Sequence, residues 1–284
     1  MYKRQSSTML IVSLIISGTI FLQMGLYFIA KVVGWNVRYN LVAACHSWLK
    51  AIGLSSLDFV LDALVIYTLF ITLWKIALQF YHAIRMKKRF EQYIENRLTI
   101  DMNRAYGEGQ DSFIVISHPR PLAITMGFMR PKIVLSTGLM NLLTEDELKA
   151  VISHEMYHKE HRDPLSIFLM ALCSSTMWYI PILKWCNQKY RIVKELLADE
   201  YAIEKQQTSV NLGSALLKML KVSKHEKMPF AYASFADTSV NYRIDYILNP
   251  LREIEWKLPV KMALLSLTIF SLICVLFIYA LTLA

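Results

Sequence analysis

Cysteine, glycine, proline and charge are all scarce in this chain. Its 284 residues include 4 cysteines, 9 glycines and 8 prolines, and 19% of them are charged. The cysteines are Cys45, Cys173, Cys186 and Cys274, three of them inside apolar runs, which excludes a disulfide scaffold. There is no CxxC pair, so zinc held by cysteine is not expected either. Low charge combined with 6 Trp, 15 Tyr and 13 Phe excludes a disordered chain. Internal repeats and low-complexity linkers are also missing. What the chain has instead is apolar: 55% of residues are hydrophobic and the mean hydropathy is +0.35. That balance describes a membrane protein with a polar portion large enough to hold a site.

A membrane span needs about 20 mainly apolar residues to cross roughly 30 Å of hydrocarbon. Thr8 to Ala30 meets this without a charge, and its length argues for a retained helix over a cleaved signal peptide. Phe59 to Ile84 meets it with Asp62 near one end and Lys75 inside, and Lys75 is expected to snorkel or to pair within the bundle. Val260 to Ala284 is a third span. A weaker run, Leu165 to Leu183, contains Ser174, Ser175, Thr176 and Pro181.

Basic residues set the orientation. Segment 31–58 has three Lys or Arg, whereas 85–164 and 184–258 have twelve each, with Arg85, Lys87, Lys88 and Arg89 directly after the second span. The expectation is that 31–58 and the C-terminus face outward and that the N-terminus and 85–258 are cytoplasmic. The net charge of +9 then reflects topology and anionic lipid, with no direct binding of nucleic acid expected. Residues 86–99 read as a cytoplasmic helix and 100–111 as a loop or hairpin turn. Phe113 to Ile116 and Lys132 to Leu135 read as strands, with Pro119, Pro121, Gly127 and Pro131 breaking the chain between them.

Thr144-Glu145-Asp146-Glu147 opens a helix with a capping box and acidic residues suited to the helix dipole. That helix runs into His154-Glu155-Met156-Tyr157-His158, an HExxH motif. Residues four apart share a helix face, so both imidazoles can reach one ion while Glu155 takes a proton from water beside it. Catalytic zinc wants three protein ligands and an open position. The spacing HExxHxxGxxH fails, because position 161 is His161 and position 164 is Pro164. A second helix with Glu195 and Asp199 offers the alternative: Glu195 as third ligand, Asp199 fixing the tautomer of a ligand histidine. His154 and Glu195 must then lie on one side of the membrane. The run Leu165 to Leu183 is therefore expected to dip in and return near Pro181, or to lie along the interface. Arg243 is a candidate contact for a substrate carboxylate or an oxyanion. Asp163 is read as fixing the end of the HExxH helix, His161 as a solvated or lipid-headgroup histidine, and His118 and His225 as ordinary loop residues.

These residues in this order resemble the BlaR/MecR family of integral-membrane metallopeptidases. The resemblance is carried by Pro121, Gly127, Pro131 to Leu135, Leu139, Glu145 to Leu148, His154 to His158 and Asp163-Pro164. It continues through Trp178 to Pro181 and Glu195 to Asp199. It covers about residues 110–205 well and the flanking spans loosely. It implies a zinc peptidase of the gluzincin type with two His ligands and one Glu. It also implies an extended substrate at the edge of the strand 132–136, and DNA-binding repressors of the BlaI/MecI type as substrates. Members that sense β-lactams carry an outer penicillin-binding domain after the last span. Here the chain reaches Ala284 as that span ends, and the SxxK spacing Ser47 to Lys50 sits in a loop too short to fold such a domain. The signal is then expected to enter through 31–58, the spans or a partner protein, and the expected partners are a separate sensor or a second copy of the chain in a homo-oligomer.

The expected fold is mainly α and polytopic, with transmembrane helices around a cytoplasmic gluzincin-type α+β metallopeptidase domain. Its divisions are 1–84, 85–258 with a re-entrant or interfacial hairpin at 165–183, and 259–284. One Zn2+ per chain is expected. Two rivals remain: a quality-control peptidase similar to the HtpX or CAAX-protease type, and a membrane signalling subunit with a structural zinc site.

Overall fold

The structure, a computed structural model, describes residues 2–34, 41–51, 53, 58–107, 109–223, 233–249, 259–269 and 271. It divides into two compact units. One comprises Ser7–Phe80, Leu169–Gln188 and Trp256–Ala284, and the other Met1–Ser6, Tyr81–Phe168 and Lys189–Glu255. His225, the tip of the loop 31–58 and the end of the expected third span lie outside the described residues.

The first unit is built from α1 (Tyr2–Val33), α2 (Leu41–Ala51) and α3 (Asp58–Glu91). Added to these are the meeting ends of α7 (Asp163–Thr176) and α8 (Pro181–Gln206), and a short apolar helix, α11 (Val260–Ile269). Among the described residues two helices, α1 and α3, are long and apolar enough to cross a membrane. Their outer faces are apolar and exposed, as at Ile15, Leu22, Phe70 and Leu73. Their inner faces close on Ile20, Met24, Val42 and Val65, together with Met177, Ile180 and Leu183. The two charges that interrupt the second apolar run are both engaged. Asp62 accepts from the Tyr27 hydroxyl at 2.7 Å and pairs with Lys31, and Lys75 donates to the Ser175 carbonyl at 3.2 Å.

The run 165–183 is a helix, a turn and a second helix. α7 has 14 residues, about 21 Å at 1.5 Å per residue, too short for a hydrocarbon layer of roughly 30 Å. The turn falls at Met177–Ile180, and Pro181 opens α8, where its missing N–H costs nothing. Lys75 takes one of the last free carbonyls of α7, and Ser266 accepts from the Ile182 amide at 3.1 Å, one of the first free amides of α8.

The second unit holds α4 (Asn96–Tyr106), β1 (Phe113–Ile116), β2 (Ala123–Met126), β3 (Lys132–Ser136), α5 (Thr137–Leu142) and α6 (Glu145–Glu160), with the rest of α7 and α8. It also contains α9 (Val210–Ser223) and α10 (Ala233–Leu248). The sheet order is β1-β3-β2, with β1 parallel and β2 antiparallel to β3. Phe113, Val115, Ile133 and Leu135 pack on Leu139 and Ile152 to form its core.

Three expectations need correcting. Residues 86–99 are not one helix: α3 runs to Glu91, the chain breaks, and Ile94 bridges to Ile116 before α4 begins. Residues 100–106 are not a loop but most of α4. Its Asn103 side chain accepts from the Ser112 and Phe113 amides at 2.8 and 2.9 Å and donates to the Phe113 carbonyl at 2.9 Å, pinning the helix to β1. The strand 132–136 is not an edge. It is central, and the edge beside α6 is β2, four residues between Pro121 and Gly127 too short to be read from periodicity.

Candidate metal centre

α6 is anchored at its start. Thr144 caps it, and Glu147 reaches back to the Thr144 amide at 2.8 Å. The buried Glu147 carboxylate also takes Ser214 at 2.6 Å and Lys218 at 2.7 Å, both from α9. Two turns further on, His154, Glu155 and His158 are all buried. The histidine rings stand edge to face with centroids 4.8 Å apart, and their Nε2 atoms are separated by 3.2 Å.

α8 supplies the facing carboxylates. Glu195 Oε2 lies 3.6 Å from His154 Nε2, and Oε1 lies 3.7 Å from His158 Nε2. One turn on, Asp199 Oδ1 is 2.9 Å from His154 Nδ1. One ligand atom each from His154, His158 and Glu195 fits within 4.8 Å of the other two. Two nitrogens about 2.0–2.1 Å from a tetrahedral ion stand roughly 3.3 Å apart, so the facing Nε2 atoms match a shared cation. Their Nδ1 atoms already face carboxylates, the arrangement that turns an imidazole's other lone pair toward a metal.

His158 has its own carboxylate. Asp163 Oδ2 lies 2.8 Å from its Nδ1. Arg162 adopts a left-handed φ of 50° between α6 and α7, which folds the chain back enough for Asp163 to reach that ring. Lys194 pairs with Asp163 Oδ1 at 2.7 Å. Arg243, from α10, donates through Nε and Nη2 to the two Asp199 oxygens at 2.8 Å each, and its Nη1 lies 3.2 Å from Glu195. The structure thus brings Arg243 into the site with its nitrogens on protein carboxylates. The expectation of a substrate or oxyanion contact had left those partners out. His161 does not join the cluster; its ring stacks on Tyr157 at 4.0 Å.

Glu155 has a partner the sequence did not reveal. Thr125 Oγ1, on β2, lies 2.7 Å from Glu155 Oε2 and 3.0 Å from the Glu155 carbonyl. The signal was hidden because β2 itself was not read as a strand. Asp163 and Lys194 were visible as residue types, but their role depends on where the turn after α6 sends the chain.

Burial and paired charges act against one another on Glu195, Asp199, His154 and Arg243. Burial pushes Glu195 and Asp199 up, but His154 and the Arg243 guanidinium, joined at Glu195 by His158, hold both below the usual carboxylate range. The two carboxylates in turn raise Arg243 despite its burial. Burial and Arg243 lower His154, yet Asp199 and Glu195 outweigh them and hold it up at about 9.

Fold and site together define a mainly helical protein with, among the described residues, two helices long and apolar enough to cross a membrane, and a centre of two histidines and the carboxylate of Glu195. Comparison with known proteins narrows this. The family model of the BlaR1 peptidase M56 matches residues 48–247, and the chain belongs to that family. It is 24% identical over 130 residues to the regulatory protein BlaR1 of Bacillus licheniformis, covering 44% of this chain and 22% of that protein. It is 39% identical over 69 residues to a protease HtpX homologue of Archaeoglobus fulgidus, 24% of this chain and 20% of that protein. A second HtpX homologue, from Nostoc punctiforme, is 28% identical over 126 residues, 37% of this chain and 40% of its own length. The chain thus spans about a fifth of the length of the first two relatives. Family membership and the two apolar helices mark it as a membrane protein, and the family implies a metal, for which the His154, His158 and Glu195 triad is the candidate holder.

Proposed function

We propose that this protein is a membrane-embedded zinc metallopeptidase that hydrolyses peptide bonds of cytoplasmic proteins. The observation that carries the proposal is the facing pair of buried Nε2 atoms at 3.2 Å, with Glu195 opposite and Glu155 alongside. His154, His158 and Glu195 would hold the ion, and the donor set of two nitrogens and an oxygen leaves a position open, as catalytic zinc requires. When bound there, zinc would supply Lewis acidity, which lowers the pKa of a water to about 7 and polarises a carbonyl. Glu155 takes the proton of the attacking water and passes it to the leaving amine. Thr125 holds the Glu155 carboxylate in place for both transfers. An extended substrate pairs with the edge of β2, which carries no further strand among the described residues and lies beside α6, and not with β3.

The orientation follows from the basic residues: the N-terminus and the peptidase portion are cytoplasmic and the chain crosses the membrane several times. The substrate is a cytoplasmic regulator, a small DNA-binding repressor of the BlaI/MecI type, in keeping with the similarity to a regulatory BlaR1 protein. A second reading, a quality-control peptidase with many membrane-protein substrates, is favoured by the 39% identity to an HtpX homologue. New protein N-termini compared between cells carrying wild type and Glu155→Gln decide between them. Glu155→Gln should keep its zinc and lose cleavage by about 10²–10⁴-fold. Cleavage confined to a repressor supports the first reading, cuts in many membrane proteins support the second, and equal cleavage by both proteins rejects a peptidase altogether.

A further inference from the structure

Lys194 immediately precedes the candidate ligand Glu195, and a lysine on a polar helix is ordinarily a solvated surface charge. Here its side chain is 9% exposed. Its ammonium is 2.7 Å from Asp163 Oδ1 and stands 5.8 and 5.7 Å from the ring centroids of Tyr157 and Tyr190. The cation is therefore enclosed by one carboxylate and two aromatic faces, an arrangement that stabilises a desolvated ammonium. Asp163 is at least as enclosed, with its side chain 1% exposed, and its second oxygen lies 2.8 Å from His158 Nδ1. An imidazole that donates from Nδ1 to a carboxylate keeps its Nε2 lone pair free and its ring fixed. In His158 that Nε2 is the atom facing His154 across 3.2 Å.

The same three-part pattern stands on the other histidine, where Arg243 holds Asp199 and Asp199 holds His154. The two arms differ in construction. Arg243 forks onto both Asp199 oxygens and also reaches Glu195, whereas Lys194 is a single charge on a single oxygen. On this arm Lys194 meets one Asp163 oxygen and His158 Nδ1 the other, so Lys194 is the contact that fixes the carboxylate from the side away from the ring.

We infer that Lys194 is a positioning residue of the metal centre, which orients His158 through Asp163 and so sets the affinity for a divalent cation. This rests on His154, His158 and Glu195 being the ligands. The test is zinc affinity of the full chain in detergent by competition with a chromogenic chelator, with the visible spectrum of the Co2+-loaded protein as a second readout. Lys194→Met should weaken zinc about 10–100-fold, the usual effect of losing an outer partner of a ligand, and should shift the Co2+ spectrum. Lys194→Arg should recover most of the affinity. Because Lys194 acts through Asp163, Lys194→Met should cost nothing further in an Asp163→Asn background. Wild-type affinity in Lys194→Met, or additive losses in the double variant, would overturn the inference while leaving the ligand set intact. If Lys194→Met fails to fold by circular dichroism, Lys194→Gln, which keeps a polar side chain but removes the charge, decides in its place: a loss of about 10–100-fold supports the inference and unchanged affinity rejects it. Wild-type protein that binds zinc no better than His154→Ala removes the metal centre itself, and the inference with it.

Discussion

Thr125 shows how one hydroxyl can govern a site that the motif alone leaves incomplete. Under the proposed function Glu155 serves as the base, and the Thr125 hydroxyl, donating to its carboxylate at 2.7 Å, is the group that restrains it. A hydrogen bond to a charged group contributes about 1.5–3 kcal/mol, which in a barrier is roughly 10- to 100-fold in rate. Thr125→Val should lower kcat by that amount with zinc content unchanged, and Thr125→Ser should restore it. A Thr125→Val protein with full kcat would mean that Glu155 is positioned by something else. The contrast with Glu155→Gln, which removes the base itself, separates aiming a group from supplying it.

At the scale of elements, α6 is held at its two ends by different means. Its C-terminal half carries the histidines, and its start is tied to α9 through Glu147, which binds Lys218, Ser214 and the Thr144 amide. Burial raises the Glu147 carboxyl, but these three partners more than reverse that and bring it from the ordinary 4.5 to about 2. A folded-state value below the unfolded one contributes stability that is complete above the unfolded value and is lost as pH falls toward the folded one. The melting temperatures of wild type and Glu147→Gln should therefore differ at neutral pH and converge between about pH 4.5 and 2. A gap that does not change across that range would show that Glu147 acts by shape and not by charge. The helix pair α7 and α8 is secured in a comparable way, with Lys75 and Ser266 satisfying backbone groups on either side of the turn at Met177–Ile180.

For the whole molecule the decisive relation is that α6 and α8 contribute to one centre although an apolar run separates them in sequence. α7 is too short to cross and the chain turns back at Pro181. Under the proposed topology, single cysteines introduced at Lys149 and Lys205 should be labelled from the same, cytoplasmic side, and a cysteine near Ser47 from the outer side. Lys149 and Lys205 lie on α6 and α8 respectively. Opposite-side labelling of those two positions would contradict a shared site.

Features written in local periodicity were legible from the sequence alone. The apolar lengths of α1 and α3, the capping box at Thr144 and Glu147, and the four-residue spacings of His154 with His158 and of Glu195 with Asp199 are set within one helix turn or one run of residues. The family resemblance drew on the same local words, and the family match to residues 48–247 agrees with it. The short strand β2 was not legible, because four residues between Pro121 and Gly127 carry too little alternation to distinguish a strand from a loop. Nor were the partners of the site. Thr125 meets Glu155 across 30 residues and Arg243 meets Asp199 across 44. Lys194 reaches Asp163 only because the left-handed turn at Arg162 starts α7 back toward His158. Helical periodicity specifies which side chains share a face. Which faces meet, and therefore which charges compensate one another in a buried centre, is decided by packing and by the cost of leaving any of them unpaired.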